Sequence, residues 1–166
     1  TFAIRPSITI DSTTINASTR LNAFSSGKLI KWTHTGTPAN IGLVDVKYDL
    51  SGAGTFTGSI AVGIPVENGA TTGATWNSLP DVNGDVKIRI IAQGNANVKV
   101  DSPSFEIVGG LTLKNPIDDV TWFAKTTNNI TWDFSGTIAS VNVYYDPDGD
   151  DAGYVPLGSK SQSGSS

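Results

Sequence analysis

Val44-Asp45-Val46-Lys47-Tyr48-Asp49 alternates apolar and polar side chains one for one. A period of two is what a strand shows when one face meets a core and the other meets water. Val86, Ile88 and Ile90, spaced by Lys87 and Arg89, carry the same alternation. Outward from these two stretches, candidate strands fall at 8–10, 29–33, 60–64, 74–76, 98–100 and 105–108, divided by turn signals at Gly52, Asn68-Gly69 and Asn83-Gly84. No window carries a convincing helical stripe. Roughly seven or eight short strands in about 100 residues predict two antiparallel sheets packed as an immunoglobulin-like sandwich, with a Trp on a central strand filling the space between them.

Composition agrees. Of 166 residues, 38% are hydrophobic and 16% charged, with 18 Gly and 8 Pro, a blend that suits strands and turns better than helices. A net charge of -4 leaves no basic field to gather phosphates, which argues against nucleic acid and anionic membrane surfaces as partners. Zero Cys excludes disulfides, thiolate metal sites and cysteine nucleophiles, and a single His, His34, makes a histidine metal cluster or a Ser/His relay hard to build. No apolar run approaches the ~20 residues that span a bilayer. The absence of Met reads as a processed product or a piece of a longer polypeptide.

The chain also echoes itself. Phe2-Ala3-Ile4 and Ile8-Thr9-Ile10 recur as Phe105-Glu106-Ile107 and Leu111-Thr112-Leu113, an offset of 103 (2 to 105). Ile30-Lys31-Trp32 with Gly36 recurs as Ile130-Thr131-Trp132 with Gly136, an offset of 100 (30 to 130). Val44 to Asp49 recurs as Val141-Asn142-Val143-Tyr144-Tyr145-Asp146, an offset of 97 (44 to 141). The offset shrinks between strand-like blocks, where loops absorb deletions. The predicted organisation is therefore a closing-strand remnant at 1–6, a first sandwich at 7–108, the front part of a second at 109–157, and a Ser/Gly-rich tail at 158–166 that reads as linker. Trp32, Trp132, Tyr48 and Tyr145 are the expected core anchors.

Ile30-Lys31-Trp32 and Ile130-Thr131-Trp132 resemble an "ITW" strand, and the stretch from Val141 to Gly149 resembles a "V-x-I-x-Y-s-x-D-G" strand and turn. Trp76-Asn77-Ser78-Leu79-Pro80 with Lys87-Ile88-Arg89-Ile90, and the closing Asp101-Ser102-Pro103-Ser104-Phe105-Glu106-Ile107, complete the pattern. Together they are similar to the Ig-like module of the Ser-Thr-rich GPI-anchored membrane family and to tandem Ig-like repeats of prokaryotic surface proteins. That resemblance implies tandem immunoglobulin-like (fibronectin-III-like) sandwiches, the second incomplete. It also implies an extracellular or cell-surface setting and a role as spacer, stalk or wall-associated unit.

Chemistry-bearing residues are few. Asp146, Asp148 and Asp150 place carboxylates at alternate positions, the ligand type a hard cation such as calcium takes. The run departs from an EF-hand loop, with Gly149 fourth where the sixth position is needed and Leu157 twelfth where a Glu belongs, and turn chemistry explains the same residues. Asp118-Asp119 and Asp150-Asp151 are adjacent loop pairs, and the two Glu, Glu67 and Glu106, are far apart, so a catalytic carboxylate pair is not expected. There is no G-x-S-x-G elbow, and His34 directly after Trp32-Thr33 reads as a rim residue. Trp76 and Trp122 fall outside the Ile-x-Trp pattern and are candidates for stacking sugars. Asn16-Ala17-Ser18 and Asn129-Ile130-Thr131 are sequons. Phe2 and Ile4, a closing strand whose own module is not in view, are candidates for strand donation to an incomplete sandwich.

The expectation is a non-enzymatic structural module in a tandem array, acting as stalk, filament or adhesion scaffold, with neighbouring modules or copies of itself as partners and no cofactor beyond calcium. The alternative is a carbohydrate-binding module of a secreted enzyme or adhesin that recognises surface glycans.

Overall fold

The computed structural model describes residues 5–25, 27–67, 72–118 and 120–162. The chain is all-β, and its first part is a mainly antiparallel sandwich. Strands β1 (Ser7–Ile10), β3 (Lys28–Thr35) and β6 (Thr72–Trp76) form one sheet, with β3 in the centre. The second sheet is built from β2 (Arg20–Asn22), β4 (Leu43–Asp49), β5 (Gly58–Pro65), β7 (Gly84–Ala92), β8 (Asn95–Asp101) and β9 (Phe105–Val108). Its order runs β2-β9-β7-β4-β5, and β8 joins β7 on the side that β9 also uses.

Alternation puts the expected residues inside. Ile30 and Trp32 from β3 face Val44 and Val46 from β4 and Val86, Ile88 and Ile90 from β7, all of them sealed from solvent. Phe105 and Ile107 complete this core from β9. Each such aliphatic side chain contributes about 1.5–3 kcal/mol on burial. The break between β8 and β9 at Ser102-Pro103-Ser104 is stitched by Ser102, whose Oγ accepts from the Ile88 N–H at 2.9 Å and donates to the Pro103 carbonyl at 2.7 Å. On the outer face Arg89 grips Asp101 through Nε and Nη2 at 2.6 and 2.7 Å while its guanidinium lies 4.0 Å above the Phe56 ring. One short helix, α1 (Pro38–Ile41), links β3 to β4. It is a single turn, too brief to leave a helical stripe in sequence.

After Val108 the architecture opens into two ribbons. Strand β10 (Gly110–Asn115) pairs with β11 (Thr131–Ser135), and β12 (Ser140–Tyr145) with β13 (Val155–Ser161). Their registers repeat those of the sandwich. Ile8 faces His34 and Ile10 faces Trp32, as Leu111 faces Phe134 and Leu113 faces Trp132. Val46 faces Ala61 and Lys47 faces Ser59, with Ile60 skipped, as Val143 faces Gly158 and Tyr144 faces Pro156, with Leu157 skipped. The four strands thus stand to one another, pair by pair, as β1, β3, β4 and β5 do.

Two expectations need correction here. Trp132 is only partly buried and Tyr145 is 47% exposed, so neither is a core anchor, because nothing among the described residues covers the inner faces of the ribbons. Residues 158–161 of the supposed tail are strand, paired with β12; their Ser and Gly composition hid a ladder whose guide is the equivalent pairing of β5 with β4.

The two parts meet at a tight joint. The Ala23 N–H donates to the Val108 carbonyl at 2.9 Å. Gly136, at φ 78°, is buried: a Cβ there would lie 2.8 Å from the Gly109 Cα and 3.0 Å from the Ala23 Cβ. A Cβ on Gly109 would in turn meet Ile138 at 2.9 Å. Gly36, the equivalent of Gly136, rests on Pro6 in the same manner, with a Cβ 3.0 Å from the Pro6 Cβ, yet Gly36 is exposed.

The contrast between the two tryptophans is measurable. Trp32→Ala should lower the unfolding free energy of the sandwich by ~3–5 kcal/mol, whereas Trp132→Ala should leave that transition within about 1 kcal/mol of the parent. Urea denaturation of both variants checks this, and equal losses would contradict the difference in burial.

Candidate functional site

The densest polar cluster sits on the loop from β12 to β13. Asp146, directly after β12, accepts backbone N–H bonds from Asp148 at 3.3 Å, Gly149 at 3.0 Å and Asp151 at 2.9 Å. Gly149 and Asp151 take positive φ, which curls the chain around that carboxylate. Asp146, Asp148 and Asp150 each bring one carboxylate oxygen within 4.8 Å of the others. Desolvation pushes the Asp146 carboxyl up, but the hydrogen bonds from Gly149, Asp148 and Asp151 outweigh it and hold the group below the usual carboxylate range.

Asp49, the last residue of β4, shows what such an Asp does without acidic neighbours. Its carboxylate accepts from the Ser51 N–H at 2.9 Å, the Ser51 hydroxyl at 2.7 Å, the Thr55 N–H at 3.0 Å and the Gly54 N–H. The residue is buried, and its pKa falls to about 2, chiefly through the Ser51 hydroxyl. Both aspartates are turn organisers whose charge is met by backbone dipoles. The Asp146 trio has hard-cation ligand chemistry, but the oxygens of its central member are already engaged by three amides.

Other candidates separate on inspection. Trp76 is buried at 3% exposure, its ring 4.8 Å from that of Tyr48, so it is a core residue and is corrected as a sugar-stacking candidate. Trp122 is 39% exposed beside the more exposed Phe123. Tyr144 and Tyr154, both more than half exposed, line a further groove beside β12, where the sequence pattern marks no binding candidate. His34 Nε2 lies 2.9 Å from the Glu67 carbonyl, an anchoring role at the rim. Glu106 pairs with Arg20 at 2.9 Å. Asn16 is tied into its own loop, donating to the Ser12 carbonyl at 2.9 Å, and the Asn129 carbonyl accepts from Asn115 Nδ2. Phe2, Ile4 and Asp119 lie outside the described residues.

The larger surface is apolar. Leu111, Leu113, Ile130, Trp132, Val141 and Val143 line a groove between the two ribbons. Leu111 and Leu113 are 52% and 57% exposed there, although their equivalents Ile8 and Ile10 pack into the closed core. The class defined by fold and site is thus an antiparallel β-sandwich joined to an open apolar pair of ribbons. Compared with known proteins, the chain matches no family model, no curated protein and no solved structure. Among the described residues no helix is long and apolar enough to cross a membrane.

Asp49 makes acid stability a test of the turn. Its folded pKa lies below the unfolded value, so its contribution is present above about pH 4 and is lost as pH falls toward about 2. The thermal midpoint should drop across that window. Asp49→Asn should be less stable than the parent at pH 7 and show a smaller drop on acidification, as followed by circular dichroism. Calcium should leave the midpoint unshifted at about 1 mM, the range in which weak extracellular sites fill; a shift abolished by Asp148→Asn would instead make the trio a metal site.

Proposed function

We propose that the chain is a non-enzymatic structural stretch of an extracellular or cell-surface protein. In this reading it is built from tandem immunoglobulin-like, fibronectin-III-like modules and serves as a stalk, filament or adhesion scaffold. The observation that carries the reading is the joint. Gly109, Gly136, Ala23 and Ile138 bring two backbones into contact that any side chain would push apart. A joint of one residue between strands, with Gly109 packed on Gly136, transmits orientation, which is what a spacer needs and a flexible tether lacks. Further support comes from the shared registers and the shared skip at Ile60 and Leu157, since unrelated ribbons have no reason to place the same irregularity at the same step. Gly36 resting on Pro6 repeats half of the joint at the other end of the sandwich, as a serial array requires.

The rival reading, a carbohydrate-binding module, draws on Trp122 and on the outward Tyr144 and Tyr154. Glycan-array binding lost on Trp122→Ala or Tyr144→Ala would favour it.

The test uses the absence of Cys, which lets spin labels be placed at will. With one label at Ser59 in β5 and one at Thr112 in β10, double electron–electron resonance should give a single narrow distance distribution. Gly136→Val should broaden it without unfolding the sandwich. A broad distribution in the parent chain would reject a stiff array.

A further inference from the structure

Three side-chain atoms inside the sandwich carry hydrogen-bonding capacity that the protein leaves unused. Trp32 Nε1, His34 Nδ1 and Thr72 Oγ1 are sealed from solvent, and none has a partner among the described residues. Buried polar atoms are paired as a rule, because an unpaired one gives up its bonds to water and gains nothing in exchange. The register gathers these three at one place. Trp32 and Thr72 face each other across the β3–β6 ladder, and His34 follows Trp32 by two residues, on the same side of β3. Along the inner face, Ile30 lies opposite Ala74 and Trp32 opposite Thr72, while Ile8 of β1 stands opposite His34 on the other flank.

Their chemistry is complementary. The indole Nε1–H can only donate, and the Thr72 hydroxyl can donate and accept. His34 Nε2 lies 2.9 Å from the Glu67 carbonyl, which can only accept. That nitrogen therefore carries the proton, and the neutral ring keeps Nδ1 as an acceptor. One donor, one acceptor and one group that is both suit a single water, which accepts from Trp32, donates to His34 and makes its third bond with Thr72. An anion would meet the Nδ1 lone pair, and a cation would meet the indole N–H. An apolar ligand would leave all three atoms unpaired.

We infer that the sandwich binds one internal water between Trp32 Nε1, His34 Nδ1 and Thr72 Oγ1, and that this water fastens the crossover between the two sheets. Strand β5 belongs to one sheet and β6 to the other. Glu67 follows the end of β5 by two residues, and Thr72 opens β6. His34 holds Glu67 directly through Nε2 and Thr72 through the water, so the central strand β3 grips both sides of the crossover. The site is particular to the sandwich. In the β10–β11 ribbon the register equivalent of His34 is Phe134, which has no nitrogen to offer.

The inference is independent of the spacer reading, which rests on the joint. The test is nuclear magnetic resonance of the isotope-labelled full chain at neutral pH. The Trp32 indole proton should show a cross-peak to water whose rotating-frame sign is that of a dipolar contact and not of proton exchange. Thr72→Val, which keeps the side-chain shape and removes the hydroxyl, should abolish that cross-peak, and Thr72→Ser should retain it. Long-range proton–nitrogen correlation should place the His34 proton on Nε2; this second measurement, made on the parent chain, stands even where Thr72→Val fails to fold. No water contact at the Trp32 indole, a His34 proton on Nδ1, or a cross-peak that survives Thr72→Val would overturn the assignment. So would a chloride-dependent shift of the indole signal, which would make the site one for an anion.

Discussion

Val46 and Ile90 face each other at the centre of the β4–β7 ladder, and neither sees water. The rest of the sandwich depends on that pairing. A half-apolar strand gains little until a second strand covers its inner face, because the backbone entropy of ordering it, about 1–2 kcal/mol per residue, is offset only by burial and a completed ladder. With β7 in place, β4 supplies Val44 and Val46 to the core with Tyr48 packed against it, β7 supplies Val86, Ile88, Ile90 and Ala92, and Trp32 closes the space against the opposite sheet. Without it, the same kind of strand remains as a ribbon: Val143 matches Val46 in register and in chemistry, yet stays partly in solvent. Covered and uncovered strands of the same alternation thus lie in a single chain.

The strand ends obey a second constraint, which is electrostatic. A strand that stops must turn, and a turn leaves amides without ladder partners. Asp49 and Asp146 each answer this by offering one carboxylate to several N–H groups at once. Such charge-assisted bonds favour the ionised form, so the lowered pKa of Asp49 follows from the turn it holds and not from a catalytic environment. The acidic residues that follow Asp146 add negative field at the lip of an open groove, where Asp49 is followed by Leu50 and Ser51.

Much of this was legible in sequence for a simple reason: period two survives translation into structure without any long-range information. Val44, Val46, Val86, Ile88 and Ile90 are inside because their neighbours are charged. The all-β sandwich follows from such stretches, and the offsets 103, 100 and 97 reappear as matching registers because ladders are read residue by residue. What stayed hidden lacks a local signal. Strand β2 is three residues long and held by one parallel neighbour. The Ser-Gly stretch in β13 has polar composition and is specified by its partner. Trp76 is a sugar-stacking candidate in sequence because it lies outside the Ile-x-Trp pattern, whereas in the fold it is buried against Tyr48. Trp132 and Tyr145 were misplaced for the converse reason: their local pattern is right, but burial belongs to whatever covers them, and sequence alternation says which face is apolar without saying that it is met.

The joint and the groove impose different demands on the same ribbons. At the joint Gly136 lies against Gly109 and Ala23, so that a Cβ there would come within 3.0 Å of both. Leu111 and Leu113 are more than half exposed beyond it, and Trp132 is partly so. The β12–β13 ribbon shields Val141 and Val143 only on one side, and its free edge points its hydrogen-bonding groups away from β13. In the sandwich one strand, β7, meets both demands for β4, giving ladder bonds along its edge and aliphatic side chains to its inner face, since a strand's backbone and its alternate side chains serve the two needs at once.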